Sequence, residues 1–186
     1  MEDARIIDLY FARDEAAIAE TGRRYGRYLT TVARNILRNE QEAEECVNDT
    51  YLRAWEAIPP HRPARLAAFL GKITRRLALD RYASLTAQKR GGGQTEELLE
   101  EWKDCLPQTD GRRYADDLAL KDAFNRFLRS LPADKRRLFV RRYWYAAPIS
   151  ALARELGQKE SSIKMQLMRL RQQLRDFLEK EDMQYE

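Results

Sequence analysis

Apolar residues recur at helical spacing along most of this chain, and the pattern divides it into three parts. From Ile6 to about Glu20 the residues are compatible with helix throughout, and Thr21 is placed to cap a second helix. In that helix Tyr25, Leu29, Val32, Ile36 and Leu37 form one stripe. A third helix is expected after Asn39, with Ala43, Cys46, Val47, Tyr51, Ala54, Trp55 and Ile58 inward. It must end at Pro59-Pro60, because proline lacks the N–H and clashes with the preceding turn. A loop over Pro59–Pro63 leads to a fourth helix running to about Tyr82, with Leu66, Phe69, Leu70, Ile73 and Leu77 inward.

The middle part, residues 89–117, holds Gly91-Gly92-Gly93, an acidic cluster over Glu96–Glu101, Pro107 and Asp110-Gly111. A short amphipathic turn around Leu98, Leu99 and Trp102 is compatible with it, but no sustained period follows. It reads as a flexible tether. Helical spacing returns over Leu118–Leu131, then from Pro132 through Tyr145, then in a short helix from Pro148 to Gly157. A long last helix from Glu160 to about Lys180 keeps Ile163, Leu167, Leu170, Leu174 and Phe177 on one side. The expected fold is all-α, with two small helical domains at 1–88 and 118–186 joined by a linker at 89–117.

Composition agrees with that reading. Charged residues reach 34% and apolar residues 44%, which suits long solvated helical faces over small cores. No run of about 18 uncharged apolar residues exists, and the acidic amphipathic N-terminus is wrong for a secretory signal, so a cytoplasmic protein without membrane contact is expected. Cys46 and Cys105 have no metal-type neighbourhood, and His61 is the single histidine. Neither a metal site, a cofactor nor a catalytic set emerges, so an enzyme is not expected. The net charge of +4 is unevenly spread: +1 over residues 1–88, −3 over 89–117 and +6 over 118–186. A basic C-terminal third beside a near-neutral N-terminal half suggests one nucleic-acid face and one protein face, or two salt-bridged helical surfaces.

Three surfaces carry candidate chemistry. A short helix, Gly157, two polar residues and a basic helix make the pattern of a helix-turn-helix. With Ile163 at the centre of the inward stripe, Ser161, Met165, Met168 and Gln172 lie opposite, flanked by Ser162, Lys164 and Arg169. The first turns of such a helix can read base edges in a major groove. An ordinary helical hairpin with a solvated outer face is the alternative. The third helix turns Glu42, Glu45, Asn48, Asp49, Arg53 and Glu56 outward, a surface poor for DNA and suited to a basic protein partner. The fourth helix is the reverse: Arg65, Lys72, Arg75, Arg76 and Arg81 against the single acid Asp80. Beside it, Pro59-Pro60-His61-Arg62-Pro63 is a rigid basic loop, and together they can grip phosphates and frame a splayed base.

The order of these pieces resembles a known family. Glu42-Ala43-Glu44-Glu45-Cys46-Val47-Asn48-Asp49-Thr50-Tyr51-Leu52-Arg53-Ala54-Trp55 closely resembles region 2.2 of the sigma-70 family. Ala68-Phe69-Leu70-Gly71-Lys72-Ile73-Thr74-Arg75-Arg76-Leu77-Ala78-Leu79-Asp80-Arg81 is similar to regions 2.3–2.4. Leu131-Pro132 with Arg136, Phe139 and Arg142-Tyr143 resembles the opening of region 4. Ser161-Ser162-Ile163-Lys164-Met165-Gln166-Leu167-Met168-Arg169-Leu170-Arg171 is similar to that region's recognition helix. Four motifs in correct order, over about residues 6–86 and 118–180, resemble the small extracytoplasmic-function sigma factors. The chain departs from the family pattern at Asn48 (often Gln), Phe69 (Trp), Arg76 (Asn), Ala151 (Glu), Met165 (Ser) and Gln166 (Arg).

The resemblance implies a factor that binds core RNA polymerase and directs promoter-specific transcription initiation. It implies that Glu45, Asn48, Asp49 and Arg53 meet the clamp helices of the beta-prime subunit, with the beta subunit also in contact. It further implies that Arg62, Arg65, Lys72, Arg75 and Arg76 bind the −10 element. Ser161, Ser162, Lys164, Met165, Arg169 and Arg171 would read the −35 duplex of promoter DNA. An anti-sigma factor is a further partner that such a chain can have. The competing reading is a stand-alone helix-turn-helix regulator that binds operator DNA without polymerase.

Overall fold

The computed structural model describes residues 2–86, 94–103 and 117–182. Among them the chain forms helices and no strand. They belong to two compact units, divided in sequence between Gly91 and Gly92.

The first unit comprises α1 (Asp3–Phe11), α2 (Ala16–Leu37), α3 (Glu40–Ala57) and α4 (Leu66–Thr86). The helix expected from Ile6 to Glu20 is in fact broken. Arg13 takes a left-handed backbone with φ 56°, and the Asp14 carboxylate accepts the Ala16 N–H at 2.9 Å. Local capping by an Asx side chain thus wins over continuous helix propensity. Thr21 is correspondingly not a cap. It lies buried inside α2, donating to the Ala17 carbonyl at 2.7 Å and sharing a 2.9 Å bond with the Tyr10 hydroxyl. Asn39 does cap α3, its side chain accepting the Glu42 N–H at 3.1 Å.

The core of this unit joins Ile6, Tyr10, Leu29, Val32, Ile36, Ala43, Ala54, Ile58, Leu66, Leu70 and Ala78, all fully buried. Two small polar links cross it from α3 to α4. The Thr50 and Thr74 hydroxyls bond at 3.0 Å, and the Cys46 thiol lies 3.6 Å from the Thr74 carbonyl. Burial pushes that thiol up to about 11, so it stays protonated and unreactive near neutral pH.

Helices α2 and α4 approach closely at Gly71. A Cβ there would stand 2.0 Å from the Tyr28 hydroxyl oxygen and 2.9 Å from its ring carbon. Gly71→Ala gains about 1 kcal/mol of helix propensity but loses about 1–3 kcal/mol to overpacking. The expected result is net destabilisation in chemical denaturation, relieved when Tyr28→Phe removes the nearer atom. A Gly71→Ala cost that is unchanged in the Tyr28→Phe background would show that this contact does not limit the helix approach.

The second unit comprises α5 (Gln94–Lys103), α6 (Asp117–Ser130), α7 (Ala133–Tyr143), α8 (Ile149–Leu156) and α9 (Glu160–Asp182). Pro132 and Pro148 stand at the N-caps of α7 and α8, where a missing N–H costs nothing. Gly157 ends α8 in the left-handed region at φ 61° and ψ 31°, and the Gln158 N–H returns to the Ala153 carbonyl at 2.9 Å. Nothing else crowds that glycine, so its backbone conformation alone selects it. Around this turn Phe127, Phe139, Tyr143, Leu152, Ile163, Leu167, Leu170 and Leu174 make one core. Its centre is an aromatic stack, with Phe139 4.5 Å from Tyr143 and 5.9 Å from Phe127 between ring centroids.

Residues 94–103, within the segment read as tether, form helix α5, where the sequence is compatible with an amphipathic turn around Leu98, Leu99 and Trp102. Leu98 is 1% exposed and Thr95 4%, so one side of this acidic segment is buried. The triple glycine, Cys105, Pro107 and Asp110-Gly111 lie outside the described residues.

Candidate nucleic-acid and partner interfaces

Helix α3 divides cleanly into two faces. Ala43, Cys46, Val47, Thr50 and Ala54 are buried, while Glu45, Asn48, Asp49 and Arg53 are exposed. The structure adds a residue that sequence reasoning grouped with the basic face of α4. Arg81 reaches α3 instead, donating to the Glu42 carbonyl at 3.2 Å. Its guanidinium lies 3.4 Å from the Glu42 carboxylate, 3.2 Å from Glu45 and 3.5 Å from Asp49. One cation against three carboxylates leaves the surface acidic, and it steadies the side chains a basic partner would meet. The signal was available: counted by 3.6 residues per turn, Arg81 does not share the line of Arg65, Lys72 and Arg76. Arg53 is paired on its own helix with Glu56 at 2.9 Å. Leu52, beside Asp49 and Asn48, is 54% exposed and gives the face an apolar element.

The basic side of the first unit is built on α4. Lys72 and Arg76 are exposed, and Arg65, just before the helix, falls in register with them. The Arg76–Asp80 separation of 3.9 Å between two well-exposed side chains is worth little, so Arg76 keeps its charge for a ligand. Arg75 is half-buried on a flank of that line, and burial lowers its guanidinium pKa from the usual value. Arg62 is held toward α1, 2.5 Å from the Asp8 carboxylate and with its guanidinium 5.1 Å from the Phe11 ring centroid. Of the five arginines and lysines expected at this surface, three share one line, one flanks it and one is engaged at the loop.

In the second unit α9 follows α8 across the Gly157 turn. Ser161, Ser162, Lys164, Met165 and Arg169 are exposed, opposite the fully buried Ile163 and Leu167. The Ser162 hydroxyl donates to the Gln158 side chain at 3.2 Å, and Gln166 also donates to that oxygen at 2.6 Å. Lys135 of α7 donates to the Gln166 carbonyl oxygen at 2.5 Å. These bonds fix the start of α9 against α7. Met168 is half exposed beside the expected set. Two of the expected basic DNA contacts carry intrachain partners: Lys164 lies 3.5 Å from Glu97, and Arg171 donates to the Tyr143 hydroxyl at 2.8 Å. Burial and the Glu101 carboxylate raise the Tyr143 pKa, so this phenol stays neutral.

Among the described residues no helix is long and apolar enough to cross a membrane, and no cluster of metal-ligating side chains occurs. The residues expected at the site lie on an acidic face of α3, a basic face of α4 and the outer face of the helix that follows the Gly157 turn.

Comparison with known proteins agrees part by part. Residues 23–88 match the family described as Sigma-70 region 2, and residues 121–174 match Sigma-70, region 4. A relative named "ECF RNA polymerase sigma factor SigE", from Mycolicibacterium smegmatis, is 27% identical over 90% of this chain and 65% of its own length. Another, named "Probable RNA polymerase sigma factor RfaY", from Xanthomonas campestris pv. campestris, is 25% identical over 81% of this chain and 37% of its own. The chain thus spans less than two thirds of the length of either relative. The two region matches fall on the two compact units in the family's order, and the chain belongs to the sigma-70 family.

Proposed function

We propose that this chain binds core RNA polymerase and directs it to promoters, acting in the cytoplasm where polymerase and DNA are found. The observation that carries this reading is the presence, in one chain, of an acidic exposed face on α3, a basic face on α4 and an exposed recognition helix α9. An operator-binding repressor needs only the last of these. Glu45, Asn48, Asp49 and Arg53 would meet the beta-prime clamp helices, with the beta subunit also touching the chain. The −10 strand would lie along Arg65, Lys72 and Arg76, with Arg75 and Arg62 at its margins. Ser161, Ser162, Lys164, Met165, Arg169 and Arg171 would face the −35 duplex. An anti-sigma factor would have these same surfaces to cover.

Transcription from a genomic fragment library, with core enzyme and this chain, tests the reading directly. Initiation that depends on both components and converges on paired upstream motifs is expected. Binding to a specific operator without polymerase, and no core-dependent initiation, would favour the stand-alone regulator and overturn it.

The −35 assignment has its own test. Arg169→Ala and Lys164→Ala should weaken promoter use, whereas substitutions at Ser162 or Met165 should change the preferred base. A lost base contact is worth roughly 1–3 kcal/mol at one position, and a lost phosphate contact weakens all sequences alike. A promoter-library selection in which all four variants keep the wild-type preference and strength would remove α9 from the account.

A further inference from the structure

We propose that Arg142, Lys164 and Arg171 form a seat for the DNA phosphate backbone that α5 occupies in the free chain, so that promoter binding must exchange two carboxylates for phosphate. The inference rests on the reading that α9 faces the −35 duplex. It adds a regulatory element from a segment that neither matched family region covers.

The recess is built around Glu101. One of its carboxylate oxygens lies 3.1 Å from Arg142 Nε and 3.5 Å from Arg171 Nη1, and accepts the Tyr143 hydroxyl at 3.0 Å. Glu97, one turn earlier on α5, lies 3.5 Å from Lys164 Nζ and 3.9 Å from Arg142 Nη2. Two acids of a single helix thus engage three cations of α7 and α9. Two of those cations, Lys164 and Arg171, stand seven residues apart along one flank of α9. An open cleft lined by Met168, Arg171, Gln172 and Arg175 continues along it.

Arg142 is the second, independent observation. Its side chain is 1% exposed, and its Nη2 is buried without a hydrogen-bond partner among the described residues. Its Nη1 donates to the Ala147 carbonyl at 3.1 Å, which neutralises no charge. The carboxylates of Glu97 and Glu101 that face this guanidinium both come from α5. A buried arginine with an unserved donor is a site for a better-fitting oxyanion. Phosphate offers more acceptor oxygens than a carboxylate and binds arginine in the same forked geometry. Among the described side chains of α5 only Leu98 and Thr95 are buried, against a full apolar stripe on α7 and on α9, so its release is feasible where the release of α7 or α9 is not.

An intramolecular competitor lowers apparent affinity by the fraction of chains in which the seat is open. Replacing Glu97→Gln and Glu101→Gln together should therefore tighten binding of the full chain to a duplex carrying its −35 element, by about tenfold at low salt. The charge-matched control is Glu96→Gln with Glu100→Gln, which removes the same two charges from α5 away from the recess. A gain equal to the control, or a loss, overturns the clasp. If neither wild type nor variant binds the duplex, alone or with core polymerase, the −35 assignment itself fails. A second measurement needs no variant. Hydrogen exchange of the α5 amides in the wild-type chain should accelerate on addition of the duplex, and unchanged or slowed exchange would overturn the proposal even if the double variant misfolds.

Discussion

Replacing Glu45 and Asp49 together by lysine should reduce affinity for core polymerase by about a hundredfold or more while leaving the first unit folded. Both side chains are half exposed and share Arg81, so each intrachain pair is worth about 0–1 kcal/mol. At an interface the same changes remove two favourable charge contacts and add two repulsive ones, which costs several kcal/mol. The second effect exceeds the first, so binding should fail before folding does. Glu44→Lys is the matched control. It is exposed on the same helix, but one residue on from Ala43 and about 100° around from Glu45. Co-purification with core enzyme, read beside the helical circular dichroism signal, checks the result. Core binding that survives the double change, or is lost equally with Glu44→Lys, would take the partner site away from this face.

Arg81 sharpens that expectation. Its guanidinium already offsets part of the face's negative field, so Arg81→Ala should leave the face more negative but its three carboxylates less ordered. The two consequences oppose each other at a basic partner. The effect on core binding should therefore be smaller than that of the double lysine variant, which makes the acids themselves the better test.

The sequence made the helices legible wherever one local rule acted alone. Asn39 before an acidic first turn, Pro59-Pro60 after Ile58, Pro148 and Gly157 each stop or start a helix for reasons within a few residues. The reading failed where two local rules competed. Over residues 6–20 helix propensity is high throughout, yet Asp14 offers a cap and Arg13 turns left-handed, giving two helices. Thr21, a capping residue by type, is used as a buried hydrogen-bonding group because its hydroxyl meets Tyr10.

Candidate side chains were legible by face but not by partner. Periodicity placed Glu45, Asn48, Asp49, Lys72, Arg76, Ser161 and Met165 on exposed sides, where the structure has them. Periodicity carries no information on where a long side chain ends. Arg81 and Arg62 each cross to another helix, to α3 and α1, because a flexible cation finds the nearest acids in space. The same limit hid α5. Its acidic residues look like solvated tether until Arg142, far along the chain and buried, is seen to need them.

That dependence leads to the largest expected effect on stability. Glu101→Leu should destabilise the second unit by about 2–3 kcal/mol. Arg142 is 1% exposed and Glu101 13%, so the pair is shielded from solvent, unlike Glu97 and Lys164 at 44% and 56%. Removing one partner of a buried pair costs about 3–5 kcal/mol when the other must stay buried. Here the chain has an escape: α5 can undock and let water reach Arg142. That route forfeits the burial of Leu98, worth about 1.5–3 kcal/mol, and it caps the loss. Pairing Glu101→Leu with Arg142→Met removes both charges and fills the space with apolar groups, a replacement that is often neutral or stabilising. The double variant should return to within about 1 kcal/mol of wild type. Hydrogen exchange of the buried Leu167 and Leu170 amides in the full chain reports on this unit alone and reads both values. A double variant no more stable than Glu101→Leu would mean that α5 is held by something other than its carboxylate against Arg142.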